Sequence, residues 1–193
     1  MIMYSCFLKR LIDFVIVFFV LAVIWPILLF MAVWLHFANK GAGAFFTQER
    51  PGKHGKIFKV IKFKTMTDER DGSGNFLPDE RRLTKIGKFI RSTSVDELPQ
   101  LINVLKGDMS LVGPRPLIES EIQTYYEDTH DVLLAVKPGV TGYWQAYARN
   151  NATYQSGERQ KMEMYYVRNA SLWLDIKILF KTVESVLSKQ GAQ

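Results

Sequence analysis

The longest apolar run lies near the start of the chain. From Phe14 to Ala38 there are 25 residues, and only His36 among them has a titratable side chain. A helix needs about 20 apolar residues to cross a bilayer, so this run is long enough. A secretory signal fits poorly, because its apolar core spans only about 7–15 residues. Pro26 stands at the midpoint. Proline lacks an N–H and clashes with the carbonyl four residues back, here that of Ala22, so a kink or break is expected. Lys9 and Arg10 precede the run; Lys40, Arg50, Lys53 and Lys56 follow it. Basic residues on both flanks favour the cytoplasm for both ends. A re-entrant hairpin turning at Pro26 satisfies that preference, while a single spanning helix does not. The hairpin has its own difficulty, since a freed carbonyl in lipid needs a polar partner. Both readings stand at this point.

Beyond the run the pattern changes. Thr47 to Gly52 reads as a turn, and Ile57 to Phe63, rich in β-branched and aromatic residues, reads as a short strand. Asp68 to Arg82 is polar, contains Gly72, Gly74 and Pro78, and reads as a loop. Leu98, Leu101, Ile102 and Leu105 recur at helical spacing, with Gly107 as the stop. Lys137 to Gly142 (KPGVTG) reads as a rigid turn. From Leu172 to Leu187, the positions Trp173, Ile176, Phe180, Val183 and Leu187 form an apolar stripe with lysines among them. Core packing is the default for such a helix, and lying on an anionic membrane surface is the alternative.

Composition narrows the class. The 193 residues are 48% hydrophobic and carry a net charge of +6. One cysteine, Cys6, excludes a disulfide scaffold and a Cys-rich zinc module. The first 38 residues hold Lys9, Arg10 and Asp13, leaving +5 for the remaining 155. That modest, scattered excess speaks against a nucleic-acid partner.

The densest chemistry surrounds Asp96 and Glu97. Ser94 and Glu97 have capping-box spacing, and Asp96 could itself be the cap. Either arrangement puts two carboxylates in a first helical turn, where the dipole favours the ionised form. An ionised aspartate is a competent nucleophile toward phosphorus, and a neighbouring glutamate can help hold a hard divalent cation. Simple helix capping is the plainer alternative. Pro114 and Pro116 flank Arg115 and hold it nearly fixed, which suits phosphate recognition. Tyr143, Trp144, Tyr147 and Tyr154 could stack a base or serve a small core.

Taken together, FKVIKFKTM, RSTSVDELPQLINVLKGDMSLVGPRP and KPGVTG, with the basic and apolar anchor ahead of them, resemble the bacterial sugar transferases. More narrowly they resemble the small monotopic phosphoglycosyl transferases, over roughly residues 7–187. The resemblance implies transfer of a sugar-1-phosphate from a UDP-sugar to a polyprenol phosphate such as undecaprenyl phosphate, with release of UMP. It implies that Asp96 carries a covalent phosphosugar and that Glu97, with Asp96, belongs to a Mg²⁺ site. Lys62, Arg91, Arg115 with Pro116, Arg149, Glu163 and Asp175 fall at the family's substrate-binding positions. The implied fold is α+β, mostly helical with a short β-hairpin, a re-entrant membrane helix broken at Pro26 and amphipathic interfacial helices. Residues 1–39 would be the anchor in a bacterial inner membrane and 40–193 a catalytic domain on its cytoplasmic face. Three positions depart from the family pattern: Trp25-Pro26 replaces a frequent Ser-Pro, Tyr147-Ala148-Arg149 a frequent Asn-Gly-Arg, and Glu163 an aspartate.

Overall fold

A computed structural model describes residues 7–148 and 152–187. It is α+β, and helix predominates among the described residues. The apolar run forms α1, Lys9–Ala38, and helical geometry continues through Pro26 rather than stopping there. One stripe of α1 packs on the body along its whole length. Val17, with Leu21 and Ile24, joins Phe58, Val60, Leu101, Val104 and Met109 in one core cluster. Met31 and Leu35, with Leu28, join Phe63 and Ile90 in another. Both ends are also tied down. Lys9 pairs with Asp175, and the Asn39 amide donates to the carbonyls of Gly43 and Lys64. The opposite face leaves Phe18, Phe19, Val23, Trp25, Phe30 and Phe37 exposed.

β1, Phe45–Pro51, and β2, Ile57–Phe63, form an antiparallel hairpin in which Arg50 faces Phe58 and Phe46 faces Lys62. The turn expected at Thr47 to Gly52 is therefore a strand. Its apolar alternation is weak because most of β1 faces outward, and pairing with β2 makes it extended. Beyond β2 come α2, Asp79–Arg82, and α3, Lys85–Ser92, the latter capped by the Thr84 hydroxyl, which accepts from the Gly87 N–H at 2.9 Å. A single 3-10 turn, Val95–Glu97, leads into α4, Gln100–Lys106. Gly107 ends α4 at φ +92°, as the sequence predicts. The stripe differs in detail. Leu101 and Val104 are buried with the polar Gln100 and Asn103, while Ile102 is exposed. Asn103 is buried because its amide serves β2, accepting from the Ile61 N–H and donating to the Lys59 carbonyl.

β3, Ser110–Val112, pairs in parallel with β4, Gly139–Thr141. The KPGVTG segment is thus half strand, where a turn was expected. Between them lie α5, Glu119–Tyr125, and α6, His130–Leu133. After β4 come α7, Tyr143–Tyr147, α8, Glu158–Asn169, and α9, Leu172–Leu187. α9 overturns the default expectation for its stripe. Ile178 is fully buried, whereas Trp173 and Phe180 are 65% and 76% exposed. The apolar stripe faces out because Asp175 and Ile178 mark the face that packs inward.

Candidate active site

Strand β2, the Val95–Glu97 turn and the start of α4 converge on one cleft. Lys62 comes from β2, Glu97 from the turn, Gln100 from α4 and Arg50 from β1; Arg115 and Pro116 close the far side. Ser94 enters the turn at φ +57°, a left-handed conformation uncommon for serine, and its side chain caps nothing. The expected capping box is not formed. The 3-10 turn instead places Asp96 and Glu97 side by side ahead of Pro99.

Arg115 is held by backbone rather than by its prolines alone. The Gly113 N–H donates to the Thr141 carbonyl at 3.0 Å, and the Gly139 N–H donates to the Pro114 carbonyl at 2.8 Å. A Cβ on Gly139 would lie 2.1 Å from the Gly113 nitrogen, so β3 and β4 approach this closely only with glycine at that crossing. Among the described residues, Arg115 has no ion-pair partner, whereas Lys62 pairs with Glu97 at 2.8 Å and Arg50 with Glu121 at 3.3 Å. Among the cations that line the cleft, Arg115 is thus open to an incoming anion.

Asp96 departs from the sequence expectation in its protonation. The helix dipole was expected to favour the carboxylate. Burial and the adjacent Glu97 charge instead push its pKa up to about 6, and Lys62 and Arg91 hold it from going higher. Arg91 is positioned by its Nε, which donates to the Thr65 hydroxyl at 2.8 Å. At neutral pH Asp96 is therefore mostly ionised but poorly solvated, which suits a nucleophile. The cleft has only about 20 Å³ of open volume.

Glu163 and Asp175 are not brought to this cleft. Glu163 is 1% exposed and accepts from the Tyr126 hydroxyl at 3.2 Å, with Arg159 Nε 3.7 Å away. Burial raises its pKa, and Arg159 and the Arg115 backbone N–H favour its charged form. Through the Arg115 backbone N–H it supports the Arg115 loop. Asp175 is buried beside Lys9 and accepts from the Tyr166 hydroxyl at 2.8 Å, locking α9 to α1. Both positions were expected from the family resemblance, and neither side chain lines the cleft. Arg149 lies outside the described residues. Of the aromatics, Trp144 is buried and, with Tyr154, sandwiches the Arg159 guanidinium at 4.1 and 3.9 Å. They serve a small core. Arg50, Gln100 and Gln145 line the cleft without having been singled out by the sequence; only the β1–β2 register and the burial of Gln100 reveal them.

Asp96, with Lys62 and Arg91 near it, and Glu97, which lines the cleft with Lys62, Arg50 and Arg115, are adjacent carboxylates among cations, a set able to bind and attack a polyanion. No group of three or more His, Cys, Asp or Glu able to hold a metal occurs among the described residues. A hard cation that keeps waters and shares substrate phosphates needs only one or two carboxylates, which Asp96 and Glu97 supply.

Comparison with known proteins identifies the family. The family model for the bacterial sugar transferases matches residues 4–189. The chain is 48% identical over 189 residues to the uncharacterized sugar transferase EpsL of Bacillus subtilis (strain 168), covering 96% of this chain and 90% of that one. It is 40% identical over 205 residues to the undecaprenyl-phosphate galactose phosphotransferase of Salmonella typhimurium, with 97% of this chain and 42% of that protein covered. Against the UDP-N-acetylgalactosamine-undecaprenyl-phosphate N-acetylgalactosaminephosphotransferase of Aeromonas hydrophila it is 36% identical over 193 residues, with 97% and 45% covered. The chain thus spans less than half the length of those two relatives. With a match that runs nearly end to end, the chain belongs to the bacterial sugar transferase family and is a transferase.

Proposed function

We propose that this transferase moves a sugar-1-phosphate from a UDP-sugar to a polyprenol phosphate such as undecaprenyl phosphate, the first membrane step of a bacterial glycan or glycoprotein assembly. The observation that carries the reading is Asp96, poorly solvated yet ionisable, with Lys62 and Arg91 near it and next to Glu97, which lines the cleft with Lys62, Arg50 and Arg115. An Asp96 carboxylate oxygen attacks the β-phosphorus of the donor. A phosphorus–oxygen bond forms, the bond to UMP breaks, and UMP departs with the electron pair. The terminal phosphate oxygen of the acceptor then attacks the same phosphorus, breaks the aspartyl bond and yields the polyprenol diphosphate sugar. Arg115, supported through its backbone, and Lys62 orient the diphosphate and offset its charge. Mg²⁺ held by Asp96 and Glu97 would screen the donor's negative charge. Splitting the transfer at Asp96 lets two dissimilar substrates use one cleft in turn.

The anchor fits this chemistry. Both ends of α1 are tied to the same body, and its outer face is bare apolar surface. That arrangement favours a monotopic placement, with body and both helix ends on the cytoplasmic side of the inner membrane. The polyprenol phosphate then meets the cleft without leaving the bilayer.

The test is a donor-only incubation of the full chain in detergent with a radiolabelled UDP-sugar and Mg²⁺. UMP release and a phosphosugar adduct mapped to Asp96 are expected. UDP release, an adduct on another residue, or full turnover in Asp96→Asn refutes the mechanism.

A further inference from the structure

A second cluster of positive charge lies across the β3–β4 pair from the cleft that Glu97 and Val140 line. Leu111 and Val140 face the cleft side of that pair, and the alternation of strand residues puts Ser110 and Val112 on the other side. There a half-open cavity of about 130 Å³ is lined by Lys9, Arg10, Lys53 and Lys137, with Ser110 and Tyr166 in its wall. It shares no lining residue with the Asp96 cleft.

The charges do not cancel. Asp13 and Asp175 both engage Lys9, and Asp13 and Asp175 accept further from Ser110 and Tyr166. Arg10 donates to the Val104 and Leu105 carbonyls, which fix its guanidinium but leave its charge. Lys53 and Lys137 have no ion-pair partner among the described residues. Asp13 and Asp108 act on Lys137 from nearby, but Asp13 is engaged by Lys9 and Ser110, and Asp108 accepts from the Asn103 amide. Burial and the Arg10 and Lys53 charges push the Lys137 pKa down, a cost that a bound anion would remove.

We propose that this cavity holds the phosphate of a resident anionic phospholipid, a site separate from the transfer site. Its place in the fold favours lipid over a soluble anion. Lys9 and Arg10 open α1, whose outward Leu11, Phe14 and Phe18 are exposed. The cavity also borders Ala170, two residues ahead of α9 and its exposed Trp173. A phosphate seated on the four cations therefore has apolar surface on either side for its acyl chains. The polyprenol acceptor is disfavoured, because a phosphate here is on the wrong face of β3–β4 to reach phosphorus on Asp96. This inference rests on the membrane placement proposed above.

The test titrates phosphatidylglycerol into the full chain, purified in mild detergent, and counts adducts by native mass spectrometry. One tightly held lipid per chain is expected. Each lysine near anionic lipid is worth about 1 kcal/mol, so Lys53→Gln with Lys137→Gln should weaken the adduct about thirtyfold. Lys53→Arg with Lys137→Arg should retain it, which separates charge from folding. Turnover of the glutamine pair should match the parent in detergent. Equal phosphatidylglycerol retention by parent and glutamine pair overturns the proposal. So does full displacement by inorganic phosphate, which marks a soluble-anion site. Displacement by polyprenol phosphate together with a raised KM in the glutamine pair reassigns the cavity to the acceptor and equally overturns it. Flotation of the same proteins with vesicles reports membrane placement independently, so failure of that reading is seen separately.

Discussion

Replacing Asp96 by asparagine should stabilise the protein while ending turnover, and the stabilisation should depend on pH in a defined direction. The folded chain binds the Asp96 proton more tightly than the unfolded chain, with pKa about 6 against an ordinary 3.8. Stability linked to that proton is complete below pH 3.8 and is lost as pH rises through 6. Above pH 6 the fold carries a charge it disfavours. At 1.36 kcal/mol per pH unit the full displacement sets a ceiling of about 3 kcal/mol. The carboxylate keeps part of its solvent contact, which halves this to about 1.5 kcal/mol. For a chain of this length that is a rise in Tm of about 3–6 °C. The assay is intrinsic tryptophan fluorescence during thermal unfolding in detergent, at one scan rate, comparing parent and Asp96→Asn at pH 8 and pH 4. The gain should be present at pH 8 and absent at pH 4. A variant no more stable than the parent at pH 8, or a gain of equal size at both pH values, would falsify the electrostatic account of the site.

Three further outcomes follow from particular contacts. Arg115→Ala should lower kcat/KM about a hundredfold with partial recovery in Arg115→Lys, read by UMP release; unchanged kinetics would remove Arg115 from the site. Glu163→Gln keeps an acceptor for Tyr126 but leaves Arg159 beside a neutral group, and should cost about 1–3 kcal/mol in thermal unfolding and raise the donor KM through the Arg115 loop. A drop in stability with an unmoved KM would confine Glu163 to the core. Single cysteines placed at Lys9 and at Lys40 should react with an impermeant thiol reagent from the same side of sealed vesicles, and labelling from opposite sides would sink the monotopic placement.

The legible parts of the chain were those in which local pattern and tertiary environment agree. β2 was readable because its β-branched run is half buried, and Gly107 because only a left-handed stop follows α4. The Asp96-Glu97 pair and Arg115 stood out as unusual chemistry at fixed spacing. β1 was not readable, since its extended shape comes from pairing with β2 and not from its own residues. The outward stripe of α9 could not be told from a core stripe, because periodicity shows that a helix has two faces without showing which is covered. Glu163 and Asp175 came from the family resemblance, which carries over a position without showing which side of its helix is covered. Asp175 is explained by Lys9, 166 positions earlier, a pairing no local spacing encodes.

The stripe of α1 that packs on β2 and α3 has a consequence for how the catalyst is stationed. Phe63 and Ile90, which receive Met31 and Leu35, lie beside Val95, the residue before Asp96. No flexible tether separates that packed stripe from Asp96, the proposed nucleophile. In the proposed monotopic placement, the height of Asp96 above the lipid headgroups would be set by rigid packing, as a draught mark is set by a hull. Bilayers of different thickness should tilt the whole molecule instead of stretching a linker, and exchanging α1 for a generic membrane helix should dismantle two core clusters, not merely readdress the enzyme.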